Sequence, residues 1–152
     1  MYLSDKKRVE LCLIPYMLWV ISSSAQTETK SENEDLLAIL DNLKHCCFEP
    51  LEECANKEKL KKRIKRMSDE VLVKNYKEKP LYLVLLTIIL WIKQGLEKDV
   101  FVLVEGSQFD LALQKIIESL EQHSTLFDKF YDQAMEETHD FTIHYAKALH
   151  YF

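Results

Sequence analysis

The sequence predicts an all-α protein, a compact helical bundle of four to five helices, and three observations lead there. Tight turns draw on glycine, proline and asparagine, yet the chain has only two glycines and three prolines. Apolar residues recur at spacings of three and four along most of it. A length of 152 residues with 47% apolar content supports one core and little beyond it. A β-sandwich or a dinucleotide-binding fold needs more turns than these residues can make.

The N-terminus comes first. Lys6, Lys7 and Arg8 precede an apolar run from Leu11 to Ile21, and the small residues Ser22, Ser23, Ser24 and Ala25 follow. Positive, apolar, then small is the order of a secretory signal. Cleavage after Ala25 would leave Gln26 as the new terminus. On this reading residues 1–25 are a signal peptide, residues 26–152 form the single helical domain, and the protein is secreted. The competing reading keeps the segment as the first helix of a cytosolic bundle. Asp5 and Glu10 count against the first and Pro15 against the second. The apolar run is shorter than the roughly 20 residues a bilayer span requires, so no transmembrane segment is expected.

Past a polar stretch from Gln26 to Asn33, a helix is expected from about Glu34 to Phe48, with Leu36, Leu37, Leu40 and Leu43 along it. Pro50 interrupts it. A second helix is expected from about Leu51 to Tyr76, where Leu60, Ile64, Met67 and Val71 share one face. Pro80 separates this from a buried helix, Leu81 to Gln94, which Gly95 is placed to end in a left-handed cap. Val100 to Val104 reads as a short strand or a tucked loop. Ser107 and Asp110 then resemble a capping box. Phe109, Leu113, Ile116, Leu120, His123, Phe127, Phe130 and Ala134 predict one long helix of about seven turns, and Phe141, Tyr145, Ala148 and Phe152 continue its stripe. Core packing is the ordinary meaning of such stripes.

Three cysteines survive removal of the leader: Cys46, Cys47 and Cys54. Outside the cell, Cys46 or Cys47 would join Cys54 across the Pro50 turn, and the remaining thiol could link a homodimer. In the cytosol all three would stay reduced. With His45 as the nearest further donor, they do not make a convincing zinc set.

The run Lys57, Lys59, Lys61, Lys62, Arg63, Lys65, Arg66 admits three meanings. It is the solvated face opposite Leu60, Ile64 and Met67, or a patch for a polyanion or an acidic partner, or, at Arg66, a basic processing site. The partner-binding face expected here consists of Lys57, Lys61, Lys62, Arg63, Lys65 and Arg66. The formal net charge of −5 argues against a general nucleic-acid binder.

No catalytic set emerges. His139, His144 and His150 read as a surface cluster. Asp140 and His144 are four apart and could pair. Glu136 and His139 have the spacing of one di-iron half-motif, which a bundle needs twice. There is no phosphate-cradling glycine loop, nucleophile elbow or zinc helix. The chain is therefore read as a non-enzyme without cofactor or metal. The expected function is that of a secreted binding protein, cytokine-like or an extracellular interaction factor, with a protein partner or receptor.

One stretch points elsewhere. Lys79-Pro80, Trp91 after an apolar helix, and Glu105-Gly-Ser-Gln-Phe-Asp-Leu-Ala-Leu-Gln114 resemble, in that order, the central region of the proteasome activator (11S regulator) family, over about residues 79–135. Ser107 and Gln108 stand where the family's loop has two asparagines, and the interval from Trp91 to Phe109 is longer. The resemblance implies a four-helix subunit, an activation loop leading into a helix, and a ring of subunits on the proteasome. This is the alternative, an intracellular oligomeric bundle.

Overall fold

The computed structural model describes residues 13–21, 56–100 and 103–150. Among them every regular element is helical. The chain is an all-α helical bundle. Helix α1 covers 13–21 with Pro15 inside it. Helix α2 runs from Lys57 to Tyr76, and its central six residues, Ser68–Val73, widen into a π turn. Helix α3 is Leu81–Glu97, α4 is Gln108–Gln122 and α5 is Ser124–Leu149. The helix expected over Glu34 to Phe48 and the three cysteines lie outside the described residues.

Helix α3 is the centre. Every residue from Leu81 to Ile89 is buried, and Trp91 and Ile92 follow. A helix apolar on all sides has to be covered all round. Its longest contact is with α5, and α4 packs on it as well. None of the described helices is long and apolar enough to cross a membrane.

Helix α2 places Leu60, Ile64, Met67 and Val71 in the core, as their spacing predicts. Leu72 and Tyr76 are buried too. At 100° per residue they would stand roughly 120° and 160° around from Leu60. The π turn winds more slowly and brings them back to the packed side. Ser68, where it begins, donates its hydroxyl to the Ile64 carbonyl at 2.7 Å.

Three expectations need correction. Gly95 does not end α3; it lies buried within the helix, which continues to Glu97. The left-handed residue is Asp99, at φ 57°. The Val100 amide donates to the Gly95 carbonyl at 2.8 Å and the Asp99 amide to the Leu96 carbonyl at 3.3 Å. That pair of bonds is a Schellman closure built on a non-glycine residue. Second, the long helix is two helices, broken at His123, whose ψ of 64° leaves the helical region. Third, Val100 and Val104 are not tucked: they are 68% and 69% exposed, while Leu103, the other described residue of this run, leans on the core.

Helix α1 belongs to the same apolar cluster. Leu13, Met17, Leu18 and Ile21 are fully buried in it, with Trp19 half-buried beside them.

Candidate functional site

The connection between α3 and α4 is built at both ends. The Schellman closure around Asp99 fixes its start. At its finish Ser107 accepts a hydrogen bond on Oγ from the Asp110 amide at 3.2 Å, the N-cap bond its position predicts. Asp110 does not complete an ordinary capping box, because its Oδ2 reaches one residue further back and accepts from the Gly106 amide at 2.8 Å. Its Oδ1 accepts from Gln114 Nε2 at 3.2 Å. Gly106 takes φ 78°, a conformation other L residues adopt only under strain. Between these anchors Val100 and Val104 stand in solvent, and Leu111 on the first turns of α4 is half exposed. The ends are pinned, Val100 and Val104 face outward and Leu103 packs against the core.

The residues preceding α3 build a second assembly that spacing alone did not reveal. Lys79 Nζ lies 3.3 Å from Glu137 Oε1 of α5 and 5.4 Å from the centre of the Tyr76 ring. The ring of His144 meets that of Tyr76 edge-on at 5.4 Å. Glu137 Oε2 and His144 Nδ1 are buried without a hydrogen-bond partner among the described residues. Burial, then the nearby Glu137 and Asp140, push the Tyr76 hydroxyl well above its ordinary range. Burial, followed by Lys147 and Lys79 against an opposing contribution from Asp140, lowers the pKa of His144. The surface histidine cluster is thereby corrected. His139 and His150 are exposed, but His144 turns into the α2–α5 contact. In the sequence the signal of this was that Glu137, Asp140 and His144 share one face of a helix at spacings of three and four; Lys79 reaches them from another element.

Trp91 completes this end of the bundle. Its ring packs on Phe141 at 4.7 Å and Tyr145 at 4.8 Å, and its indole N–H donates to Thr142 Oγ1 at 3.1 Å. At the opposite end Tyr82 donates its hydroxyl to the Leu120 carbonyl at 2.6 Å. Burial, then Asp128 and Glu121, push that hydroxyl's pKa up to about 12. It stays a neutral donor on the last turn of α4.

A cleft of about 370 Å³ opens between α3, α4 and α5. Leu86, Ile89, Leu90, Ile117 and Phe127 line its floor, with Tyr131 and Met135 at one lip and Lys93 and Glu121 at the mouth.

The basic run occupies the first three turns of α2. Lys59, Lys62, Lys65 and Arg66 are exposed, whereas Lys57, Lys61 and Arg63 are half-buried. Arg66 pairs with Glu70 at 3.2 Å on the open surface. Among the described residues no group of three or more His, Cys, Asp or Glu side chains is arranged to hold a metal ion. Glu136 and His139 are both exposed, and Asp140 acts on His144 through its charge.

The stretch from Lys79 to Gln114 thus comprises an ion-paired Lys79, a Pro80 at the N-cap of α3, a buried Trp91 and the pinned connection into α4. No family model matches the chain, and neither a curated protein nor a solved structure matches it.

Proposed function

We propose that the protein acts by binding another protein, without catalysis, and that it presents the α3–α4 connection to that partner. The observation that carries this reading is the exposure of Val100 and Val104 on a connection held at both ends by hydrogen bonds. Loops that carry function sit on rigid supports. Because the backbone beneath them is already fixed, covering these apolar side chains costs less ordering than covering those of a loose loop.

The segment that resembles the activator family includes this same connection, so the specific form of the proposal is an oligomeric subunit that docks the loop on a proteasome. Burial of Leu13, Met17, Leu18 and Ile21 in the common core supports a molecule that keeps its N-terminal segment, which favours this intracellular form. The secreted form, a cytokine-like or extracellular interaction factor, rests on the positive, apolar, small order of residues 6–25.

Expression of the full chain in mammalian cells separates the two. Uncleaved chain inside the cell is the expected product; a mature protein in the medium beginning at Gln26 overturns the intracellular form. Purified full chain is then mixed with 20S proteasome, and peptide hydrolysis and co-sedimentation are followed. Stimulation lost in a Val100→Asp/Val104→Asp variant is the expected result. No co-sedimentation and no stimulation reject the proteasome.

A further inference from the structure

The basic part of α2 contains a narrower feature than its composition conveys. Over Lys57–Met67 there are seven basic residues and one acid, Glu58. Lys59, Lys62, Arg63 and Arg66 occupy positions i, i+3, i+4 and i+7, so they fall within one face about 100° wide. That face contains no acid from Lys57 to Met67. Like-charged pairs at such spacing weaken a helix, and here the four side chains make several of them. Leu60, Ile64 and Met67 pin the opposite side in the core, at 7%, 0% and 0% exposure. That packing fixes the backbone beneath the stripe and leaves Lys59, Lys62 and Arg66 exposed, with Arg63 half-buried. Of its members only Arg66 has an ion pair among the described residues, the Glu70 contact, whose two side chains are 74% and 50% exposed. An exposed pair of that kind is readily exchanged.

We infer that this stripe binds an acidic helix of a partner protein, one whose carboxylates repeat at the same three- and four-residue spacing. This contact is separate from the α3–α4 connection and does not depend on it, since an acidic helix and an apolar-contact surface are different chemistries. Two neighbouring chemistries fit less well. A membrane-surface helix needs a free apolar face to embed, and the apolar face of α2 is spent on the core. Single-stranded nucleic acid is held by aromatic stacking along a basic groove, and Lys57–Met67 has no aromatic residue. The remaining chain, with 13 basic residues against 24 acidic ones, repels any polyanion longer than the stripe. The stripe is about 10 Å long at 1.5 Å per residue, the length of two turns of an opposing helix. Arg63 and Arg66 add forked donors that suit carboxylates.

The test uses the full-length protein at low salt and a labelled alanine-based helical peptide with glutamates at i, i+3, i+4 and i+7. A single-stranded oligonucleotide of equal charge and phosphatidylserine vesicles are measured alongside. The peptide should bind more tightly than either. Lys59→Glu/Lys62→Glu should weaken it about tenfold or more, Lys59→Gln/Lys62→Gln less, and the control Lys98→Glu/Lys115→Glu, with the same change in charge, by no more than about twofold. The glutamine pair carries the test should the glutamate pair fail to fold. Tighter binding of the oligonucleotide or the vesicles overturns the inference, as does absence of peptide binding or an equal loss in the control.

Discussion

Asp99 occupies a position that the backbone reserves for glycine. Its φ of 57° is the left-handed value a Schellman closure demands, and an L side chain there costs roughly 1 kcal/mol even for aspartate. Asp99→Gly is therefore expected to stabilise the fold by about 0.5–1 kcal/mol, read as a raised urea midpoint at unchanged slope. A lower midpoint would show that the side chain holds the turn. Sequence reasoning put the left-handed cap at Gly95 because glycine is the usual occupant; burial of that glycine inside α3 decides otherwise. His144 gives a second residue-scale test. Its pKa is lowered by burial and by Lys147 and Lys79, so the folded protein holds the imidazole neutral more strongly than the unfolded chain does. The penalty is absent above the unfolded value of about 6.5 and grows as pH falls below it, until the folded pKa has been passed. Stability measured from pH 7.5 down to about 5.5 should fall less steeply in His144→Gln than in the parent. Parallel slopes would remove His144 as the source.

The helices themselves divide into what spacing can read and what it cannot. The face of α2 from Leu60 to Val71 and the buried stripe through Leu113, Ile116, Leu120, Phe130, Ala134 and Phe141 follow from periods of three and four, the Ser107 cap from its spacing to Asp110, and the burial of α3 from its continuous apolar run. The break at His123 does not, because the stripe runs on across it and neither proline nor glycine marks it. The π turn of α2 was equally hidden: it shows only when Leu72 and Tyr76 are found on the same side as Leu60. A π turn is in effect one residue too many in an α-helix. Deleting exposed Asp69 should convert Ser68–Val73 to ordinary helix while Leu72 and Tyr76 stay in the core, at a cost of about 1 kcal/mol or less. Deleting exposed Gln133 from α5, which has no π turn to absorb the loss, swings Phe141 and Ala148 about 100° off the core. Circular dichroism melts compare the two. A cooperative melt for the Asp69 deletion and none for the Gln133 deletion is the expected outcome; collapse of both would show that the widened turn is needed for its own sake.

At the scale of the whole molecule the N-terminal segment ties structure to function. Composition was sufficient to read the bundle, but not to decide whether residues 13–21 lead the chain out of a cell or close its core, since the same apolar run serves either purpose. Leu13, Met17, Leu18 and Ile21 are each 0–1% exposed. Burying such side chains is worth about 1.5–3 kcal/mol apiece, or roughly 6–12 kcal/mol for the four as an upper figure. A domain's entire stability is about 5–15 kcal/mol. Removal of the segment should thus consume most of it and uncover a strip of apolar surface. The chain 26–152, made without its first residues, is expected to melt without cooperativity, to bind a hydrophobic dye and to associate, whereas the full chain melts sharply. An equally sharp, equally high transition in the shortened chain would mean that the four side chains contribute nothing the rest cannot supply, and the case for a retained N-terminus would fall with it.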